Sequence, residues 1–143
     1  MGYVTEYQVR FHETDGAGVV YFANELVMCH GAYEASLVAA GLDVGAFFRA
    51  ETLAYPIVHA SIDYRRPLHC GDRVEIHLTP TRLDDSSFEI RYQVKLDDAL
   101  AAQAVTRHVC IEVASRRRRP LSNEIEAWLS RWSDGQSEPG GGV

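Results

Sequence analysis

The sequence carries one lysine, Lys95, among its 14 basic residues. Chemistry through a lysine Schiff base therefore has a single candidate and is set aside. Cysteine is nearly as scarce. Cys29, Cys70 and Cys110 are odd in number, widely spaced and form no C-x-x-C pair, which argues for reduced thiols in a reducing compartment and against a disulfide framework. No apolar run approaches the roughly 20 residues that a membrane-spanning helix needs. The first six residues, Met1-Gly2-Tyr3-Val4-Thr5-Glu6, lack the basic start and apolar stretch of a signal peptide. A soluble, cytoplasmic protein without a membrane partner is expected. Positive charge is also short: 14 basic against 20 acidic residues leave a net charge of -6, which gives little support to a nucleic-acid surface. The local exception is Arg116-Arg117-Arg118-Arg119. No G-x-S-x-G occurs, which disfavours serine-hydrolase chemistry.

What is present is ordinary globular composition, 46% hydrophobic and 24% charged over 143 residues, enough for one domain with a sizeable core. From Tyr3 to Phe11 the residues alternate with the period-2 pattern of a half-buried strand. After the turn-rich Glu13-Thr14-Asp15-Gly16-Ala17-Gly18, residues Leu26, Cys29, Tyr33, Ser36, Leu37 and Ala40 recur at helical spacing. They predict a helix from Tyr21 to Ala40 with Gly41 as its stop. A short helical turn is expected around Asp43–Ala50, and strands over Ile57–Tyr64, Arg73–Arg82, Phe88–Leu96 and Ala99–Val113. The segments between those strands, Pro67 to Asp72, Asp84 to Ser87 and Asp97-Asp98, have the chemistry of antiparallel hairpins. Ser122–Trp132 suggests a terminal helix capped by Ser122, and 133–143 a disordered tail after a domain spanning 1–132.

One long helix against a five-stranded, mostly antiparallel sheet implies an α+β layer in which the sheet wraps the helix, the hotdog arrangement. Such a sheet leaves edge strands open. Pairing edges across a two-fold axis covers them, so a homodimer, or a dimer of dimers, is the expected unit.

Asp15 lies between the first strand and the start of the long helix. Gly16 and Gly18 let a ligand approach the main chain, and unpaired N–H groups at the helix start favour negative charge. A carboxylate and an oxyanion site are thereby neighbours. Thioester hydrolysis needs little more, because a thiol of reference pKa about 8.5 leaves as thiolate without full protonation. The spacing equally allows Asp15 to be only a turn or helix cap, since Asp-Gly is a common turn dipeptide.

Asp15-x-x-Gly18-Val19-Val20-Tyr21-Phe22 resembles the signature of the 4-hydroxybenzoyl-CoA thioesterase family of hotdog enzymes, a resemblance that extends from about Tyr7 to Ile111. A narrower resemblance is to the 1,4-dihydroxy-2-naphthoyl-CoA thioesterases of phylloquinone biosynthesis. It is carried by Thr14 to Phe22, Met28-Cys29-His30-x-Ala32-Tyr33-Glu34, Val58 to Asp63, His69 to Arg73 and His108 to Ile111. The resemblance implies an acyl-CoA substrate and no metal or redox cofactor. It implies that Asp15 attacks the thioester carbonyl or activates the water that does, that the backbone N–H of Phe22 polarises the carbonyl, and that Gly18 keeps the turn unobstructed. The related short-chain acyl-CoA thioesterases carry histidine where this chain has Phe22, and an apolar ring suits an aromatic acyl group. The 4-hydroxybenzoyl enzymes offer an acid toward the substrate hydroxyl where this chain has His30. A 4-hydroxybenzoyl-CoA or general acyl-CoA thioesterase, or a non-catalytic acyl-CoA or acyl-carrier-protein binding module, are the competing readings.

Other residues carry two readings each. His59, Ser61 and Asp63 share one strand face, which lines an acyl pocket or forms an ordinary wet face. His30 is a second candidate contact to substrate. His69-Cys70 and His108 with Cys110 have poor spacing for zinc, so Cys110 reads as core and no metal site is expected. Cys29 reads as packing. Arg116, Arg117, Arg118 and Arg119 suit either the phosphates of the CoA nucleotide or solvent, and Arg65 and Arg66 are the second candidates for the phosphates.

Overall fold

A computed structural model describes residues 2–134. Tyr3–Gln8 forms β1, Phe22–Ala39 α1, Val44–Phe48 α2, Leu53–Ala54 β2 and Ile57–Tyr64 β3. Arg73–Asp84 forms β4, Ser87–Leu96 β5, Ala99–Val109 β6, Ile111–Glu112 β7 and Asn123–Trp132 α3. The main sheet has the order β1-β4-β5-β6-β3 and every pairing in it is antiparallel. Asp97 and Asp98 both take positive φ, 51° and 66°, the two-residue geometry whose twist suits a hairpin between β5 and β6.

The sheet buries one face against α1. Ile76, Leu78, Phe88, Ile90, Tyr92, Val94 and Ala102 from the strands close around Met28, Cys29, Tyr33 and Leu37 of the helix. The helix ends as its sequence predicts. Gly41, at φ +95°, donates to the Val38 carbonyl at 2.9 Å and Leu42 to that of Leu37 at 3.0 Å, the paired bonds that close a helix on a left-handed glycine. At the other end of the chain Ser122 accepts the Ile125 N–H at 3.3 Å and starts α3. The α3 helix buries Ile125, Trp128 and Leu129, and the Trp128 indole donates to Ser36 Oγ of α1 at 2.9 Å.

Two expectations need correction. The first strand stops at Gln8, and Phe11–Glu13 forms a turn of 3₁₀ helix. The cause is the buried carboxylate of Glu13, which accepts the Arg10 N–H at 2.7 Å and the Tyr7 hydroxyl and so curls the chain. Phe11 is left 81% exposed rather than on the apolar face. The last predicted strand is two. It leaves the main sheet at Cys110 because Pro56 precedes β3 and offers no N–H to prolong that ladder, and Ile111–Glu112 pairs with Leu53–Ala54 instead. From residue 135 onward the expected tail lies outside the described residues. Ser133 still belongs to the helix end, donating its N–H to the Leu129 carbonyl at 2.9 Å.

β3 is an edge strand that lies open on both faces. Ile57 and Val58 on it are 45% and 60% exposed. No helix among the described residues is long and apolar enough to cross a membrane.

Candidate active site

The chain between β1 and α1 is a hydrogen-bonded turn. Gly18 donates to the Asp15 carbonyl at 2.9 Å, and the Asp15 N–H returns to Val19 at 2.9 Å. Aspartate at the first position and glycine at the fourth is the sequence preference of such a turn. A Cβ on Gly18 would touch nothing within 4 Å, so glycine is required there by its φ of +82° and not by space. The Asp15 side chain is exposed, and its Oδ1 accepts the Ala17 N–H at 2.9 Å. That bond holds the carboxylate over its own turn and leaves Oδ2 without a partner among the described residues.

Glu13 then ties this turn to the helix. Its carbonyl accepts the Tyr21 N–H at 2.9 Å and the Asn24 side-chain amide at 2.9 Å. From β3, Tyr64 donates its hydroxyl to the Phe22 carbonyl at 2.5 Å. The start of α1 is thus pinned from two sides. The N–H groups of its first turn, Phe22 and Ala23, have no carbonyl behind them within the helix, so they point out as donors.

Below that start lies a cavity of about 340 Å³ lined by Val19, Phe22, Glu25, Tyr64, Arg65 and Arg66 among others. Phe22 is 61% exposed at its mouth. Glu25 is 3% exposed, and its Oε1 has no hydrogen-bond partner among the described residues. Burial pushes its carboxyl up to about 7. Burial also raises the Tyr64 phenol, and the neighbouring Glu25 charge adds to that shift. Arg65 and Arg66 both donate backbone N–H groups to the Ala101 carbonyl, at 2.7 and 3.1 Å, which fixes where their exposed side chains leave the sheet.

Of the residues singled out in the sequence, Asp15, Gly18, Phe22, Arg65 and Arg66 come together at this end of the molecule. The others do not, within one protomer. His30 sits eight residues into α1 from Phe22, about 12 Å along the helix. Its Nδ1 lies 2.9 Å from Glu34 Oε2, and its ring packs beside Tyr33 and Phe48. His59 pairs with Arg107 on the sheet face turned away from α1. Arg116–Arg119 form the turn after β7, at the opposite end of the sheet from Tyr64. Seven residues of β6 separate the two levels, about 24 Å by strand rise. Arg118 there lies 3.7 Å from Asp84, and Arg119 3.8 Å from Glu112. Cys29 is buried, and burial together with the Glu25 charge pushes its thiol up to about 12, which suits packing and not attack.

Glu13, Glu25 and Tyr64 were not found from the sequence. Glu25 had a signal: it stands four residues before Cys29 on the inward stripe, where a carboxylate breaks the pattern. Tyr64 had none, because its partner is a backbone carbonyl far away in the chain.

Residues 9–129 match the family model of the thioesterase-like superfamily, and the chain belongs to that superfamily. Within it the similarity is to one group of enzymes. The chain is 52% identical over 124 residues to a 1,4-dihydroxy-2-naphthoyl-CoA hydrolase of Crocosphaera subtropica, covering 85% of this chain and 90% of the relative. It is 46% identical over 129 residues to the enzyme of the same description from Nostoc punctiforme, covering 90% and 87%. The crystal structure of a 1,4-dihydroxy-2-naphthoyl-CoA thioesterase from Synechocystis superposes with a TM-score of 0.86 at 40% identity, covering 89% of this chain and 94% of that one. The hotdog architecture expected from the element order is the fold of these relatives.

Proposed function

We propose that this chain hydrolyses 1,4-dihydroxy-2-naphthoyl-CoA to 1,4-dihydroxy-2-naphthoate and CoA. The observation that supports the reading is an exposed carboxylate, Asp15, on a glycine turn that closes on Val19, three residues before the first-turn N–H groups of α1. The thioester carbonyl takes a hydrogen bond from the Phe22 N–H, which strengthens as negative charge builds on its oxygen. Asp15 either adds to the carbonyl carbon, giving an anhydride that water opens, or takes a proton from the water that adds. In both cases the C–S bond breaks, CoA leaves as thiolate and the acyl group leaves as carboxylate. Thiolate is a good enough leaving group that no strong general acid is needed.

A homodimer is part of the reading. The exposed apolar edge of β3 favours pairing with a second β3, and a dimer of dimers is the larger assembly proposed. An antiparallel pairing would set the Ile57 end of the partner beside Tyr64, and with it the partner's arginine turn on the side of Phe22. Arg116–Arg119 of one protomer would then reach the CoA nucleotide bound by the other, while Arg65 and Arg66 guard the cavity mouth. His59 and His30 would touch substrate only through such an assembly. The cytoplasm is the compartment proposed, on the reduced state expected of its cysteines.

The test is Asp15→Asn, assayed by free-thiol release from the naphthoyl thioester. It should lower kcat by roughly 100-fold or more while melting temperature and KM stay close to wild type. Near-wild-type turnover by the purified variant overturns the mechanism.

A further inference from the structure

Two buried carboxyls near the active site take no part in the hydrolysis: Glu13 is hydrogen-bonded to Tyr7 and Arg10, whereas Glu25 has an oxygen with no partner among the described residues. Glu25 is 3% exposed and lines the cavity below Phe22, and the unpartnered oxygen is its Oε1. A buried polar atom without a partner calls for an explanation, because leaving it unmade costs about 1–3 kcal/mol. The groups facing it do not satisfy it. Cys29 follows one turn later on α1 and is itself buried, and the Tyr64 hydroxyl is committed to the Phe22 carbonyl. Arg65 and Arg66 line the same cavity, but their side chains are exposed.

Glu25 also stands three residues after Phe22, hence on the same helix face and about 5–6 Å away between Cβ atoms. A thioester whose carbonyl oxygen meets the Phe22 N–H therefore extends its neighbouring substituents into the reach of Glu25. Protonation of the leaving thiolate is a poor use for the carboxyl, since that thiolate departs without it. A polar substituent on an otherwise apolar acyl ring is a good one.

We infer that Glu25 is a specificity-determining residue that exchanges a hydrogen bond with a ring hydroxyl of the acyl group, so that the site selects hydroxylated aryl thioesters over unsubstituted ones. The inference rests on the function proposed above and names its source of selectivity. A carboxyl raised to about 7 is neutral in a large fraction of molecules near neutral pH, so a neutral phenol docks without an ion having to be buried with it. An acyl group without the hydroxyl leaves Glu25 unpaired, and a site built to bond a hydroxyl rejects such an analogue by large factors.

The experiment measures kcat/KM for 1,4-dihydroxy-2-naphthoyl-CoA and for 2-naphthoyl-CoA with wild type, Glu25→Gln and Glu25→Leu. The wild type should prefer the dihydroxy substrate by roughly 100-fold. Glu25→Leu should reduce that ratio at least tenfold, and Glu25→Gln, whose amide still donates and accepts, should keep most of it. Leucine also fits a buried stripe, so folding of that variant is expected and is checked by its melting curve. An unchanged ratio in Glu25→Leu overturns the inference and leaves the function standing. Hydrolysis of neither thioester by the wild type overturns the function and the inference together.

Discussion

The two ends of the sheet differ in what their polar groups face. At the end where β4 finishes and α3 begins, several charges and hydroxyls pair across elements. Trp128 donates to Ser36, the Tyr55 hydroxyl donates to Ser122 at 3.0 Å, Arg82 pairs with Glu126, and Arg118 and Arg119 face Asp84 and Glu112. At the end where α1 begins, Phe22 and Tyr21 are exposed, the first helical N–H groups have no acceptor within the helix, and Glu25 is buried with one oxygen unpaired among the described residues. Buried atoms without a partner among the described residues occur at both ends, the Tyr33 hydroxyl and His108 Nδ1 among the packed rings beside Trp128 and Glu25 Oε1 below the start of α1, but of the three it is Glu25 that lines the cavity. Stability should reside at the α3 end and chemistry at the α1 end.

Variants at the two ends should therefore separate stability from turnover. The largest effect is expected from Trp128→Ala, which empties a fully buried site and removes the bond to Ser36. It should cost about 3–5 kcal/mol of stability, read by denaturant unfolding, while the folded fraction keeps its kcat. A large loss of kcat in the folded protein would break the division between the ends.

His108 sharpens it from within the α3 end, paired with Phe88 one residue before β6 finishes. The ring is fully buried, stacks on Phe88 with 4.7 Å between centroids, and its Nε2 lies 2.8 Å from Thr106 Oγ1. Burial first, and the charge of His30 second, lower it from 6.5 to about 4. The folded state thus binds fewer protons than the unfolded chain between those values. Stability is full above about pH 6.5 and falls as pH drops toward 4. His108→Gln should remove on the order of 1–3 kcal/mol of that acid dependence, read as flatter melting temperatures between pH 7 and 4.5. An unchanged acid limb would assign it to the carboxylates.

The smallest effect belongs to the arginine turn. Arg118 and Arg119 already face acidic partners, so replacing Arg116–Arg119 by serine should raise KM for CoA thioesters only about fivefold at low salt, with kcat nearly constant. A truncated thioester without the nucleotide should show no such change. An equal KM for both proteins makes the turn a solvated flank and moves the phosphate contact to Arg65 and Arg66.

Much of this was legible in the sequence, where the physics is local. Helical spacing, Gly41 and the Asp97-Asp98 turn set α1 and the hairpins, because periodicity and turn chemistry act within a few residues. The Asp15 turn was legible for the same reason: Asp15 accepts the Ala17 N–H and caps its own turn, and its catalytic role belongs to the proposed function. What was hidden depends either on distant partners or on a side chain that overrides the local pattern. Glu13 stops β1 early through bonds to Tyr7 and Arg10, and Pro56 sends Ile111–Glu112 to a second sheet. The outward face of His59 follows from its register with Arg107, which a strand pattern alone leaves open.

The central claim is that the α1 end is a thioesterase site for an aromatic acyl-CoA. Its most direct test is free-thiol release by the purified wild type over a panel of 1,4-dihydroxy-2-naphthoyl-, 4-hydroxybenzoyl-, benzoyl-, butyryl- and palmitoyl-CoA. The account predicts turnover with 1,4-dihydroxy-2-naphthoyl-CoA ranked first by kcat/KM. Binding of these thioesters without release of thiol, or a ranking led by an alkyl thioester, would contradict it.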